Sequence, residues 1–445
     1  MASFLSLPTE LQLNIIEQLD LTSASFIPAP SQDLLSLSRV CKVLRTLVLP
    51  SLLNTITLLN EENHGSSVLT VVNSAHAQYV RHVHYIGIME IPDGMDTGED
   101  SLVEPPAPDH LPESVETVLS NLDKLPKLER VVVEFRCAKI AEDNEDIHQN
   151  SFYHFDQPEE DRLVLQSEKT VAYRSLMERS YRALARNTAS TIKNIEFKNV
   201  VAKRCSAWNL SEFQALLGGL TSFTISLRGG DNGAGWQINM LEGYLDFVSH
   251  LDAYLFEHLS HTEHFSFAAT GDGPPGIEGG LNNTALPLFG QHMPRLKSLS
   301  MEHVFISKNL AAFITAHGET LESVRLADCY SGWDNEDEIT WGKFFLRIAS
   351  VDMKSLCLFD IAPTDFERLQ HTGKDDYYYH RTMRAQELRE QFPERRMLDY
   401  KFLDDKYGMV FDNEDQVFER FETGTDHTGW EQLWKVIKKN MGGDR

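Results

Sequence analysis

Five cysteines in 445 residues, Cys41, Cys137, Cys205, Cys329 and Cys357, are odd in number, far apart and without a C-x-x-C pair. That excludes a disulfide framework and a zinc module, and predicts reduced thiols in the cytoplasm or nucleus. The chain also lacks long apolar runs. Its longest charge-free apolar stretch, Thr46 to Asn60, is too short for a bilayer span and is broken by Pro50. The first basic residue is Arg39, so the charged start of a signal peptide is missing. Basic residues are scarce overall: 41 Lys and Arg stand against 66 Asp and Glu, a net charge of −25. This argues against phosphate-backbone binding, so neither nucleic acid nor membrane is an expected partner.

Catalytic signatures are missing too. There is no P-loop, H-E-x-x-H or G-x-S-x-G. Gly271-Asp272-Gly273-Pro274-Pro275-Gly276 fits G-x-G-x-x-G, but its prolines leave no helix N-terminus to receive a pyrophosphate, so a loop is expected. His258, His261 and His264, and the pair His82 and His84, have no matching carboxylate or thiol set, and read as ordinary surface histidines. Asp334 to Glu338 lacks the rhythm of a calcium loop. Tyr377, Tyr378 and Tyr379 read as a packed cap. No cofactor, no metal and no enzymatic activity are expected.

What is present begins with two apolar seams. Residues 4–20 read FLSLPTELQLNIIEQLD, with Pro8 suited to a first helical turn and Leu7, Leu11, Ile15, Ile16 and Leu19 on one face. A Pro- and Ser-containing stretch, 21–32, stops this helix. Asp33 is placed to cap a second, whose seam is Leu34, Leu37, Cys41, Leu44 and Val48, ended by Pro50. Residues 1–60 carry a net charge of −1, leaving −24 of the −25 downstream. Two short amphipathic helices cannot bury both seams on each other, so they pack either on the body of the chain or in a partner's groove.

The strings L-P-x-E-L-x-x-x-I-I-x-x-L-D and D-L-L-x-L-x-x-V-C-K-x-L-R resemble the F-box motif. Leu7, Pro8, Glu10, Leu11, Ile15 and Leu19 match its first helix; Asp33, Leu34, Leu37, Val40, Cys41, Lys42, Leu44 and Arg45 match its second and the start of its third. The 21–32 connection is longer than the usual link. The resemblance implies that Leu7, Pro8, Leu11, Ile15, Leu34, Leu37, Val40, Cys41 and Leu44 anchor a Skp-family adaptor. Through that adaptor the chain would reach a cullin scaffold, as the substrate-recognition subunit of a ubiquitin ligase.

Downstream, a phrase of three apolar residues at i, i+3 and i+5 recurs. It occurs at Val80-Val83-Tyr85, Leu128-Val131-Val133, Ile192-Ile195-Phe197, Leu220-Phe223-Ile225, Leu296-Leu299-Met301, Leu321-Val324-Leu326 and Met353-Leu356-Leu358, more loosely around Phe265-Phe267. Recurring strand-plus-helix units predict an α/β chain. The expected form is a helical F-box (1–60), an irregular leucine-rich-repeat-like solenoid (61–375) and a helical C-terminal cap (376–445). A non-repeat α/β domain satisfies the same pattern. Polar insertions at 90–116 (nine acidic residues, no Lys or Arg), 141–161 and 228–237 interrupt it. Three functions stay open: a ligase adaptor with an unidentified protein substrate, a Skp-binding scaffold outside a ligase, and an enzyme on an unrecognised α/β body.

Overall fold

The computed structural model describes residues 7–19, 32–89, 111–137, 157–187, 192–230, 235–276, 284–332, 339–363 and 376–442. Three helices come first: α1 (Thr9–Leu19), α2 (Gln32–Val40) and α3 (Lys42–Leu52). The second seam, expected as one helix, breaks at Cys41. Its extended backbone (φ −158°, ψ 167°) starts a new helix, and its thiol accepts the Leu44 N–H at 3.5 Å. Pro50 lies inside the last turn of α3 rather than ending it. Ile16, Leu34 and Val48 form a small buried cluster of their own, flanked by Leu37, Leu47 and Leu52.

The body is one nine-stranded, all-parallel sheet in which every strand pairs with its neighbours in sequence. The strands are β1 (Thr55–Leu59), β2 (His82–Met89), β3 (Arg130–Cys137), β4 (Asn194–Val200), β5 (Ser222–Leu227), β6 (His264–Ala268), β7 (Ser298–Glu302), β8 (Ser323–Ala327) and β9 (Leu358–Ile361). Helices lie in every crossover except that from β6 to β7, where none is found among the described residues: α4 (Glu62–Val72), α5 (Glu113–Leu119), α6 (Asp161–Thr170), α7 (Ala172–Ala185), α8 (Ser211–Gly218), α9 (Glu242–Ser249), α10 (Leu251–Tyr254), α11 (Lys308–Ala316) and α12 (Trp341–Ala349).

Burial alternates along β5 to β9, while β1 to β3 contain consecutive buried residues. In β5, Phe223, Ile225 and Leu227 are buried while Ser222, Thr224 and Ser226 are half-exposed. One face of the sheet is therefore packed and the other open, which gives period-two strands where fully covered parallel sheets show continuous apolar runs. On the packed face an aromatic chain, Tyr85–Phe135–Tyr181–Phe197–Phe223–Phe265, runs across β2 to β6 with ring separations of 5.2 to 6.4 Å. Tyr181 enters it from α7.

After β9 come α13 (Asp376–Gln391), a hairpin of β10 (Lys401–Leu403) and β11 (Val410–Asp412), then α14 (Glu414–Thr423) and α15 (Thr425–Asn440). Two glycines let α12 and α15 touch backbone to backbone. A Cβ on Gly429 would stand 2.4 Å from the Gly342 carbonyl, and one on Gly342 would stand 2.8 Å from the Thr425 carbonyl. Asp426 bridges the same crossing. It accepts the Gly342 N–H and the Tyr400 hydroxyl, both at 2.8 Å, and burial pushes its carboxyl up. Asn440 closes the end, donating to the carbonyls of Met353 and Leu356.

This architecture corrects the expected one. In place of a helical F-box followed by a leucine-rich-repeat-like solenoid, the chain forms an α/β fold around a continuous nine-stranded parallel sheet. The recurring apolar phrase marks the inward residues of a half-covered parallel strand and does not by itself define a repeat. The connections share no common length: 25 residues separate Ser298 from Ser323, and 64 separate Arg130 from Asn194. The last copy also slips. Met353 and Leu356 are buried, but the strand directs Phe359 and Ile361 inward and leaves Leu358 exposed.

Candidate functional sites

The helices α1 to α3 divide the expected adaptor-binding residues into two sets. Leu34 and Leu44 are buried within the helical unit, and Leu37 and Cys41 are half-buried, the latter as the α3 cap. Leu7 is half-buried and Pro8 exposed; the Pro8 carbonyl receives the Leu11 and Gln12 N–H groups as α1 begins. Leu11, Ile15 and Val40 are 48%, 42% and 69% exposed, joined by Leu13 and by Val43 at 57%. The sequence pattern located the seams. Only packing decides which of their residues turn inward, and Ile16 rather than Ile15 takes that place in α1.

The open face of the sheet is the second site, and its composition changes along the strands. In register, His84, Val132, Glu196, Thr224, Ser266, Ser300, Arg325 and Asp360 form one cross-strand row. Small hydroxyl side chains occupy the middle, on β5 to β7, with charged groups on either side. Arg130 pairs with Glu196 and Arg325 approaches Asp360. Glu134 is the most enclosed charge on this face, 1% exposed. It takes His84 Nε2 at 2.9 Å, Arg136 Nε and Nη2 at 2.7 and 2.8 Å, and Asn199 Nδ2 at 3.2 Å, with Lys198 Nζ at 3.7 Å. Burial would raise its pKa, but the hydrogen bonds from His84 and Arg136 and the charges of Arg136 and Lys198 win, bringing it down to about 2. The histidine pair on β2 is thus half explained: His84 belongs to an ion network that spacing along the chain could not pair, because Glu134 is fifty residues away.

The carboxyl ends of β7 and β8 carry a third group. Glu302, His303 and Asp328 lie with one donor atom each within 4.8 Å of one another. Tyr330 hydrogen-bonds His303 Nδ1 at 2.7 Å. Neither sequence spacing nor a motif signals this set, since β8 brings Asp328 beside His303 only through its pairing with β7.

The other sequence candidates resolve individually. His258 Nε2 lies 3.0 Å from the Ala253 carbonyl and His261 Nδ1 lies 2.7 Å from that of Gly218, while His264 sits on the open face of β6. They do not converge. The glycines of 271–276 serve close packing: a Cβ on Gly273 would stand 2.4 Å from Ile238, and one on Gly276, at φ 117°, 2.4 Å from the Phe305 carbonyl. The side chains of Tyr377 to Tyr379, the run Asp334 to Glu338, and most of the acidic insertions lie outside the described residues. Cys41, Cys205, Cys329 and Cys357 are free thiols, and burial holds Cys205 and Cys329 well above the usual thiol range.

A cavity of about 210 Å³ lies between α6 and the 204–209 segment, lined by Leu165, Arg204, Cys205, Ser206 and Tyr254 among others. Arg204 is committed there to Asp161 at 2.6 Å and to the Glu159 carbonyl, and Ser206 donates its backbone N–H and its hydroxyl to Glu168 at 2.7 and 2.6 Å. Among the described residues no helix is long and apolar enough to cross a membrane. A scan against protein-family models finds no match, and neither does a search of the curated proteins.

Proposed function

We propose that this chain is a non-catalytic adaptor, docking on a Skp-type partner through α1 to α3 and presenting a protein target from the open face of its sheet. The observation that carries the reading is the exposed apolar set Leu11, Ile15, Val40 and Val43, on helices whose opposite sides are already satisfied by Ile16, Leu34 and Val48. Those helices are folded without covering this surface, and a partner's groove gives such a face a place to bury. The F-box-like residues of 7–45 name the partner class. Target recognition falls to the open face because its mixed hydroxyl and charged rows give hydrogen-bonding specificity with little apolar cost. The mechanism is proximity. An adaptor that fixes a target lysine beside a charged ubiquitin carrier, held by the cullin, turns a bimolecular encounter into an effectively intramolecular one.

Co-purification with a Skp-type adaptor tests the reading. The full chain is expected to retain the adaptor, and a chain beginning after residue 60 to lose it. Leu11→Ala with Ile15→Ala should weaken capture at least tenfold without lowering the melting temperature, because both side chains are exposed. Equal capture by the full and shortened chains, or capture by neither, overturns the proposal.

A further inference from the structure

We propose that Glu302, His303 and Asp328 bind one divalent transition-metal ion, of which Zn²⁺ is the simplest, at the carboxyl ends of β7 and β8. The inference is independent of the docking reading. It begins with backbone geometry. Consecutive residues of an extended strand point to opposite faces, so Glu302 and His303 would ordinarily diverge. Left-handed backbone at His303 (φ 52°) and at Asp328 (φ 45°) ends that alternation where each strand finishes. The His303 N–H bonds the Ala327 carbonyl at 3.2 Å, which sets His303 beside Asp328. One donor from each residue then lies within 4.8 Å of both others.

The imidazole is oriented from outside the trio. Tyr330, buried and packed edge-on against Phe305, holds His303 Nδ1 at 2.7 Å. Donation from Nδ1 to that hydroxyl leaves the Nε2 lone pair for a ligand, as outer partners of metal-binding histidines commonly do. Nε2 stands 3.9 Å from Glu302 Oε1. That is too long for a hydrogen bond, and it exceeds by only a few tenths of an ångström the roughly 3.3 Å between two donors on a tetrahedral ion with bonds of about 2.0–2.1 Å, so a small rotation of the exposed Glu302 side chain would bring both onto one ion. Two carboxylates this close repel each other, and a cation held between them relieves that repulsion. One nitrogen and two oxygen donors suit Zn²⁺ with water completing the shell.

The test uses the full chain, stripped with chelator and titrated with Zn²⁺ by calorimetry, with Co²⁺ absorption reporting the donor geometry. One equivalent is expected to bind. His303→Ala and Asp328→Asn should each weaken binding at least tenfold, and Tyr330→Phe, which keeps the ring on Phe305, about tenfold. His261→Ala, whose ring rests on the Gly218 carbonyl, should leave it unchanged. Circular dichroism confirms that each variant is folded. Absence of Zn²⁺ binding, or binding that neither His303→Ala nor Asp328→Asn alters, refutes the site.

Discussion

Replacing Glu134 by glutamine tests the reading of the open face most directly. Glu134 is almost fully enclosed and accepts four hydrogen bonds from His84, Arg136 and Asn199. A glutamine keeps the shape but presents an amide N–H₂ toward a guanidinium, so one contact turns from attraction to donor against donor. A carboxyl moved from 4.5 to about 2 carries roughly 3 kcal/mol of stability at neutral pH. Water on the open side reduces this, so the expected loss for Glu134→Gln at pH 7 is about 2–3 kcal/mol. The sign with pH follows from the lowered pKa. The folded protein holds the ionised form more tightly than the unfolded chain does. The stabilisation is complete above the unfolded value near 4.5 and is lost as pH falls toward 2. Glu116 and Glu263 are lowered too, so wild type alone cannot isolate the effect. The readout is the difference between wild type and variant in urea denaturation at pH 7, 5, 4 and 3, which should shrink as the medium becomes more acidic. A difference below about 0.5 kcal/mol at pH 7, or one that stays constant down to pH 3, would refute the network.

Asp426 should behave in the opposite sense: its raised pKa makes its stabilisation greatest below the unfolded value of 3.8, falling as pH rises through the folded value. Asp426→Asn should therefore lie within about 1 kcal/mol of wild type at pH 7, whereas Asp426→Ala, stranding the Gly342 N–H and the Tyr400 hydroxyl, should cost about 2–4 kcal/mol in denaturant titration. Gly429→Ala drives a methyl into the Gly342 carbonyl and should lower stability by about 1–3 kcal/mol, with protease cutting first within α15. Leu34→Ala removes one of three residues in the small N-terminal cluster and should cost about 2–4 kcal/mol there, exposing 32–52 to proteolysis while hydrogen exchange in β3 to β7 stays unchanged.

Strand positions were readable because most of the strands are packed on one side only. Val83 and Tyr85, Val131 and Val133, Ile195 and Phe197, and Phe223 and Ile225 repeat the same inward pair, and all are buried. The first strand went unread: Leu53, Ile56 and Leu58 keep the spacing, but they follow the apolar end of α3 and merge with it into one run. How the strands are assembled was less legible, since periodicity fixes which way a residue points and not which lengths of chain count as a unit. The ionic groups were legible least. His84 meets Glu134, and His303 meets Asp328, only because parallel neighbours are brought into register. The αL positions were similarly hidden, although Asn199, His303 and Asp328 each stand five residues beyond the registered strand starts Asn194, Ser298 and Ser323.

The sequential strand order has a consequence for how the chain comes into being on the ribosome. Each strand's first partner has already been synthesised when it emerges, so no segment need wait for a distant one, and the loop to be closed at each step is only the intervening crossover. The growing sheet always ends, however, in a fresh edge of unpaired backbone groups, the kind of surface on which foreign strands add. Its packed face stays partly bare until α15 arrives to lay Trp430 against Phe345 and Phe359. The segment Thr425–Asn440 thus decides when a nascent chain stops being a hazard to its neighbours, and a frameshift ahead of it would do harm out of proportion to the length of that helix.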